Sequence, residues 1–376
     1  MKNNIMKKAF LWGWYGYKNF GDDLLLDTMV RKLETHNIHI TIAMKTPYGK
    51  YENIPGIVQV KRTLKNMFLH CSSNDILIIG PGGLFPFDNY PKLVAYYFAV
   101  LWWRINKKRI AFIGIGISPD MGRKSKHLWR KIINMSAMFY TRSDGFLKAV
   151  GAYETDTIKT TADIAFASDL LNTEDNRFSS TKQDKVVGIT VANLFDDNDS
   201  KKYKEAVEVW KKTCMKVIKL GYRVDLIAFT KGKDERMIAD IIKQLDFNRG
   251  GVRQVPYPEL SDCIANWDRY SFTICMRFHA LVVSILKGIP SIPIAYGHKT
   301  KSLANKCGLN DYVIVWNSSQ IDYYGRLVDT SSEEIIHKVE LLTSNSDREK
   351  SIILKKRNEL ILSAESCFKE LFVLLK

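Results

Sequence analysis

The chain has 376 residues, 46% of them hydrophobic and 26% charged, with a formal net charge of +16. That much apolar material excludes a disordered chain and is enough for two or three domains at about 150 residues each. The positive balance suits an anionic partner, whether phosphate, nucleic acid or an acidic membrane surface, and equally suits a lysine-rich solvated coat.

The first apolar run, KKAFLWGWY at 7–15, reads as a buried strand, and it is too short for the apolar core of a signal peptide. Past it, GWYGYKNFGDD at 13–23 leads into a helix from Asp22 to Glu34. The loop is not a GxGxxG fingerprint, and two acids at the helix start repel a pyrophosphate, so dinucleotide binding is disfavoured there. Asn19 and the acids suit a neutral, hydroxyl-rich ligand better. HITIAM and DILIIG are the next strands, and GPGGLFPFD at 80–88 follows the second of them. Gly82 and Gly83 let a ligand approach the backbone, with Asp88 on the same loop.

LVAYYFAVLWW at 93–103 is the longest apolar run and falls well short of the roughly 20 residues that span a membrane. It reads as a buried helix whose end, with Trp102, Trp103, Arg104, Lys107, Lys108 and Arg109, suits a membrane interface. RIAFIGIG ends in GIGISP, a third glycine turn at a strand end, and the three turns outline a binding rim. MFYT then places Arg142 at the carboxyl edge of the same sheet, with Asp144 as the expected N-cap of a helix 145–150 and Asp163 in TADIAF at a similar edge position.

LNTEDNRFSSTKQD, from Asn172 on, is polar and aperiodic and marks the domain boundary. The strands KVVGITVA, RVDLIAFT, FTICM and SIPIAY alternate with helices near 202–219 and 235–245. Strand–helix alternation implies parallel sheets with helices on both faces. Two Rossmann-like domains result, 1–172 and 185–345, facing across a cleft where ligands bind, and an amphipathic helix at 346–376 is expected to pack back on the first. Six scattered cysteines with no CxxC pair give no zinc site and suit a reducing cytoplasm.

The most informative stretch is MRFHA at 276–280. Read as extended chain up to a helix starting about Ala280, it points Arg277 and His279 the same way and Phe278 the other. Arg277 offers a planar fork for carboxylate or phosphate, His279 brings an imidazole, the side chain suited to acid–base work, and the helix start adds free N–H groups. Lys299 comes after the next strand, SIPIAY, at the neighbouring edge. The three form an anion site with an acid–base group beside it.

These pieces in order, N-F-G-D at 19–22, P-G-G-L with Asp88, G-I-G-I-S-P, T-R-S-D-G, A-D-I-A-F and M-R-F-H-A…G-I-P-S-I-P-I-A-Y-G-H-K, resemble the polysaccharide pyruvyl transferase family from about residue 10 to 305. The resemblance implies a GT-B-like α/β fold, no metal and no cofactor. It implies transfer of a pyruvyl group from phosphoenolpyruvate to a sugar, usually as a cyclic ketal, in cell-surface polysaccharide synthesis such as exopolysaccharide, lipopolysaccharide or capsule. It places donor binding on Arg142, Arg277, Phe278, His279 and Lys299, and acceptor roles on Asn19, Asp22, Asp88, Gly82 and Gly83. His279 is the expected general acid, Arg277 stabilises charge, and Asp22 or Asp88 orients the acceptor hydroxyl. The acceptor implied is a sugar on a lipid-linked oligosaccharide, at the inner face of the cytoplasmic membrane. Ser143 stands where the family's R-D segment has an acid, and Pro81 replaces a glycine of its G-G-G run. The alternative enzyme is a GT-B glycosyltransferase with a nucleotide-sugar donor. A nucleic-acid binder is disfavoured because no helix or strand carries a basic stripe with interleaved aromatics.

Overall fold

In the computed structural model, residues 6–85, 88–171, 185–195, 200–245, 251–316 and 330–376 are described. The expected boundary at 172–184 lies outside them. By contacts, the chain divides into unit 1 (1–18, 22–169 and 360–376) and unit 2 (19–21 and 170–359).

Unit 1 begins with strand β1 (Lys8–Trp12), helix α1 (Phe20–Glu34, whose first two residues belong to unit 2), β2 (His39–Met44), β3 (Ile57–Lys61) and α2 (Leu64–Leu69). It continues through β4 (Ile76–Ile79), β5 (Gly82–Phe85), α3 (Tyr90–Ile105) and β6 (Arg109–Ile117). α4 (Arg123–Met135), β7 (Met138–Thr141), α5 (Phe146–Val150) and β8 (Ile158–Thr160) complete the series. The sheet order is β3-β2-β1-β4-β6-β7-β8, with β5 paired to β6, and every pair is parallel. Strands such as β4, Ile-Leu-Ile-Ile, are buried at every position, as helices on both faces of a parallel sheet require. One face holds a core of Phe10, Trp103, Phe112, Trp129, Phe139 and Phe146.

Unit 2 holds β9 (Val186–Thr190), α6 (Lys201–Lys219), β10 (Arg223–Ile227), α7 (Lys233–Gln244), β11 (Val252–Val255) and α8 (Leu260–Ala265). β12 (Tyr270–Cys275), α9 (Phe278–Lys287), β13 (Ser291–Ala295), α10 (His298–Lys306), β14 (Ile314–Val315) and α11 (Ser332–Ser344) follow. Its parallel sheet runs β11-β10-β9-β12-β13-β14. α9 is buried along nearly its whole length and stops at Gly288, whose φ of 67° a glycine adopts without strain. The two-unit α/β architecture is the one the sequence implied.

The last helix, α12 (Ser346–Leu375), serves both units. Its first part belongs to unit 2, where Arg357 Nη1 donates to Leu286 O at 3.0 Å. Residues from Leu360 on belong to unit 1, where Ala364, Cys367, Phe368 and Leu371 are buried and Ser363 Oγ accepts from Ala162 N–H at 3.0 Å. All six cysteines are free and buried, and burial pushes the Cys275 thiol up to about 11 and Cys214 to about 12, so neither is a nucleophile at neutral pH. Among the described residues no helix is long and apolar enough to cross a membrane.

Candidate active site

In unit 2 the carboxyl edge of the sheet is organised by one carboxylate. Asp234, in the first turn of α7, is fully buried. It accepts from Asn193 N–H beyond β9 at 3.2 Å, and from Phe229 N–H at 3.1 Å and Thr230 N–H at 2.8 Å beyond β10. Arg277, beyond β12, completes the set with Nε at 2.9 Å and a second bond from Nη2. β10, β9 and β12 are neighbours, so Asp234 ties together three adjacent strand ends. In the sequence Asp234 carries no signal of its own, because an acid in a helix's first turn also serves the helix dipole alone. The signal for more was an arginine ending a neighbouring strand.

Burial works against the Arg277 guanidinium, but the charge of Asp234 and the Tyr296 hydroxyl outweigh it, so Arg277 holds its proton more firmly than a free arginine. Two nitrogens of its fork are spent on Asp234. Such a bidentate pair fixes the guanidinium plane.

The extended reading of 276–279 is corrected. β9 ends at Thr190, whose carbonyl takes Met276 N–H at 3.2 Å and whose Oγ1 takes Arg277 N–H at 3.3 Å. The ladder stops there, Arg277 becomes the N-cap, and α9 starts at Phe278. Phe278 and His279 are thus the first two helical residues and do not oppose each other across a strand. Their rings meet edge to face, 5.1 Å between centroids at 85°. Lys299, exposed in the first turn of α10, places Nζ 5.2 Å from the Phe278 ring centroid. Arg277, Phe278, His279 and Lys299 are therefore neighbours.

Asn19 and Gly21 join this group. Asn19 caps α1 by accepting from Gly21 N–H at 3.0 Å, and its Nδ2 donates to Thr230 Oγ1 at 3.4 Å. Phe20 N–H donates to Phe229 O at 2.9 Å, and the two rings lie 4.2 Å apart. His279, 8% exposed, packs against the bare Cα of Gly21. A methyl group there would stand 2.5 Å from Cε1 and 2.6 Å from Cγ, with Nδ1 closer still.

In unit 1, Arg142 follows β7 and pairs with Asp163, both side chains nearly buried. Asp163 also caps the short turn Ile164–Ala167 through Ala165 N–H at 2.9 Å. A Cβ on Gly83 would stand 3.9 Å from Arg142 Nη2, and one on Gly82 3.4 Å from Asp22 Oδ1, where φ of +114° already demands glycine. Asp22, Gly82, Gly83 and Arg142 thus gather at one edge. Asp88 stands apart from them, exposed and accepting from Gly122 N–H at 2.8 Å and from the Ser125 hydroxyl, which steadies the start of α4. Asp144 is not the N-cap of α5. Gly145 takes that place in a left-handed conformation, φ 76°, with no side-chain cap.

A model of the polysaccharide pyruvyl transferase family matches residues 19–298. No curated protein shows significant sequence similarity to the chain. Among solved structures, a glycosyltransferase from Rickettsia africae aligns with TM-score 0.62 at 11% identity, over 99% of this chain and 98% of that one. The UDP-GlcNAc 2-epimerase of Neisseria meningitidis aligns with TM-score 0.61 at 12% identity, over 98% and 100%. That of Methanocaldococcus jannaschii gives 0.59 at 13% identity, over 98% and 99%. These likenesses show the fold, which is of the GT-B type.

Proposed function

The chain belongs to the polysaccharide pyruvyl transferase family, and we propose that it transfers a pyruvyl group from phosphoenolpyruvate to a sugar of a cell-surface polysaccharide or its lipid-linked precursor. The product is a cyclic pyruvate ketal, released with phosphate. A proton adds to C3 of the donor, C2 takes on oxocarbenium character, and one sugar hydroxyl attacks it. The C2–O bond to phosphate breaks, the second hydroxyl closes the ring, and the two hydroxyl protons leave with base and phosphate. No cofactor enters these steps.

The observation that carries this reading is the grouping of Arg277, His279 and Lys299 at the start of α9 and α10. An anchored guanidinium, an ammonium and a helix N-terminus favour an anion, and an imidazole beside them can deliver the C3 proton. His279 is the general acid, and Arg277 and Lys299 stabilise the charge that builds on the leaving phosphate. Arg142, Gly82, Gly83, Asp22, Asn19 and Asp88 keep the donor and acceptor roles that the family resemblance implies.

A lipid-linked acceptor would set the enzyme at the inner face of the cytoplasmic membrane. α3 presents Phe98, Trp102 and Ile105, exposed by 56%, 46% and 66%, at the i, i+4, i+7 spacing of one helix face. Phe68 of α2 meets Trp102 edge to face at 6.1 Å. No acid occurs from residue 89 to 119, while Arg104, Lys107, Lys108 and Arg109 flank the patch. Apolar side chains ringed by cations suit an anionic bilayer surface.

The test is thermal stability with phosphoenolpyruvate and, separately, with UDP-, GDP- and CMP-sugars. A ligand of the folded state adds about 2.7 kcal/mol at a hundredfold excess over its Kd. A rise with phosphoenolpyruvate alone, weakened in Lys299→Ala, supports pyruvyl transfer. A rise with one nucleotide sugar alone replaces it with glycosyl transfer.

A further inference from the structure

The carboxyl edge of the unit 1 sheet holds a second group of side chains with no role so far. Trp14 lies two residues past β1, Lys45 one past β2, Arg62 one past β3, and Lys92 sits in the first turn of α3. Trp14 and Tyr17 stack at 4.2 Å with planes 9° apart. The Arg62 guanidinium lies 4.7 Å from the Trp12 ring centroid and 4.9 Å from that of Trp14. Lys92 Nζ lies 5.5 Å from Trp14 and 5.3 Å from Phe85, and Lys45 Nζ 4.9 Å from Tyr17. Three cations thus surround one aromatic ladder.

Their hydrogen bonds go to neutral oxygens. Arg62 donates from Nε to Gly13 O at 2.6 Å and from Nη2 to Tyr96 OH at 3.1 Å, and Lys92 donates to Leu84 O at 2.9 Å. Among the described residues no carboxylate pairs with Arg62, Lys92 or Lys45. Elsewhere in unit 1, Lys32 has Asp169 and Glu365, and Arg142 has Asp163. Ring faces attract cations but do not neutralise them. Half-buried like charges without a counter-acid cost free energy that an incoming anion recovers. Burial, and then the charge of Arg62, lower the Lys92 ammonium below its ordinary range, which fits a site awaiting negative charge. The place is apt, since ligands of parallel α/β sheets bind outside the carboxyl ends of the strands.

We propose that Arg62 and Lys92, with Lys45 at the rim, bind a phosphoryl group, namely the phosphate or diphosphate that joins the acceptor sugar to its carrier. A diphosphate between sugar and carrier is a diester with about one negative charge on each phosphorus and free oxygens on both, so it can meet two cations at once, whereas a single carboxylate brings one charge. The assignment of that group to the acceptor rests on the pyruvyl-transfer reading, but the binding of phosphate chemistry at this edge does not.

The experiment is calorimetric titration of inorganic pyrophosphate, and separately of phosphoenolpyruvate, into the wild-type chain, Lys92→Met, Lys92→Arg and Lys299→Ala. Methionine keeps an unbranched apolar stem against Trp14 and Phe85. Pyrophosphate affinity should fall at least tenfold in Lys92→Met, return in Lys92→Arg and stay unchanged in Lys299→Ala. Phosphoenolpyruvate affinity should be unchanged by Lys92→Met. Unchanged pyrophosphate affinity in Lys92→Met overturns the proposal. So does weakened phosphoenolpyruvate binding in that variant, which would make this the donor site. A chain that binds pyrophosphate through Lys92 yet transfers nothing from phosphoenolpyruvate keeps this site and loses the proposed reaction.

Discussion

Gly21→Ala is the sharpest probe of the His279 assignment. The added methyl would stand 2.5 Å from Cε1 of the imidazole, so reaching the 3.4 Å of ordinary contact is a retreat of 0.9 Å at that atom, and Nδ1 must retreat further. The ring is buried beside Phe278 and cannot swing into open solvent. Displacing a general acid by about 1 Å costs on the order of 100-fold in turnover. Overpacking of this kind costs about 1–3 kcal/mol of stability, which leaves the fold standing. The assay is kcat for phosphate release with donor and acceptor saturating, next to the thermal midpoint. Gly49→Ala is the control, because a Cβ there meets nothing within 4 Å. Wild-type turnover in a folded Gly21→Ala chain would mean that the imidazole is not held where it must act, and the mechanism would lose its acid.

Asp234→Asn should lower stability by about 3–5 kcal/mol, since it leaves the Arg277 charge buried without its partner, and should weaken phosphoenolpyruvate binding as well; denaturant melts and donor titration measure both. The backbone N–H of Tyr257, more than that of Gly232, holds the Glu235 carboxyl below the ordinary carboxylate range against a smaller opposing effect of burial. A depressed carboxylate stabilises the fold above its ordinary pKa and loses that contribution as pH falls through the depressed value. Glu235→Gln should therefore melt lower than wild type at pH 7, with the gap closing in strong acid. Phe98→Ser with Trp102→Ser should abolish pelleting with vesicles rich in anionic lipid while leaving solution turnover on a water-soluble acceptor intact. Pelleting that survives the double substitution would remove α3 as the membrane contact.

The central strands were legible because buried parallel strands read as continuous apolar runs, and HITIAM at 39–44 matches β2 residue for residue. β8 and β11 were not, because edge strands such as Ile158–Thr160 are only partly buried and carry no apolar run. The start of α9 was misplaced because the strand ladder is ended by Thr190, a residue 87 positions away. Asp144 looked like a cap, but Gly145 reaches a backbone conformation that makes a side-chain cap unnecessary. Arg277, His279 and Lys299 stood out because charge at the end of an apolar strand is a local anomaly. Asp234 did not, because its partners come from three loops that only the strand order β10-β9-β12 brings together. The cations at 45 and 62 were hidden in the same way by the order β3-β2-β1.

The division of α12 between the units has a consequence for how the chain is made. Domains commonly fold in the order of their synthesis. Here the segment that closes unit 1, residues 360–376, is translated after all of unit 2. Until it arrives, the surface that receives Phe368 and Leu371 stays open, Ala162 lacks the Ser363 hydroxyl 201 residues ahead, and Lys32 lacks Glu365, 333 residues ahead. Such separations weigh little on final stability, since each doubling of a loop adds only about 0.6 kcal/mol of closure entropy. They weigh on time. A nascent chain carries an unfinished first unit through the whole synthesis of the second, with an apolar seat exposed to chaperones, and a ribosome that stops near residue 359 leaves a polypeptide whose defect lies in its earliest-made part.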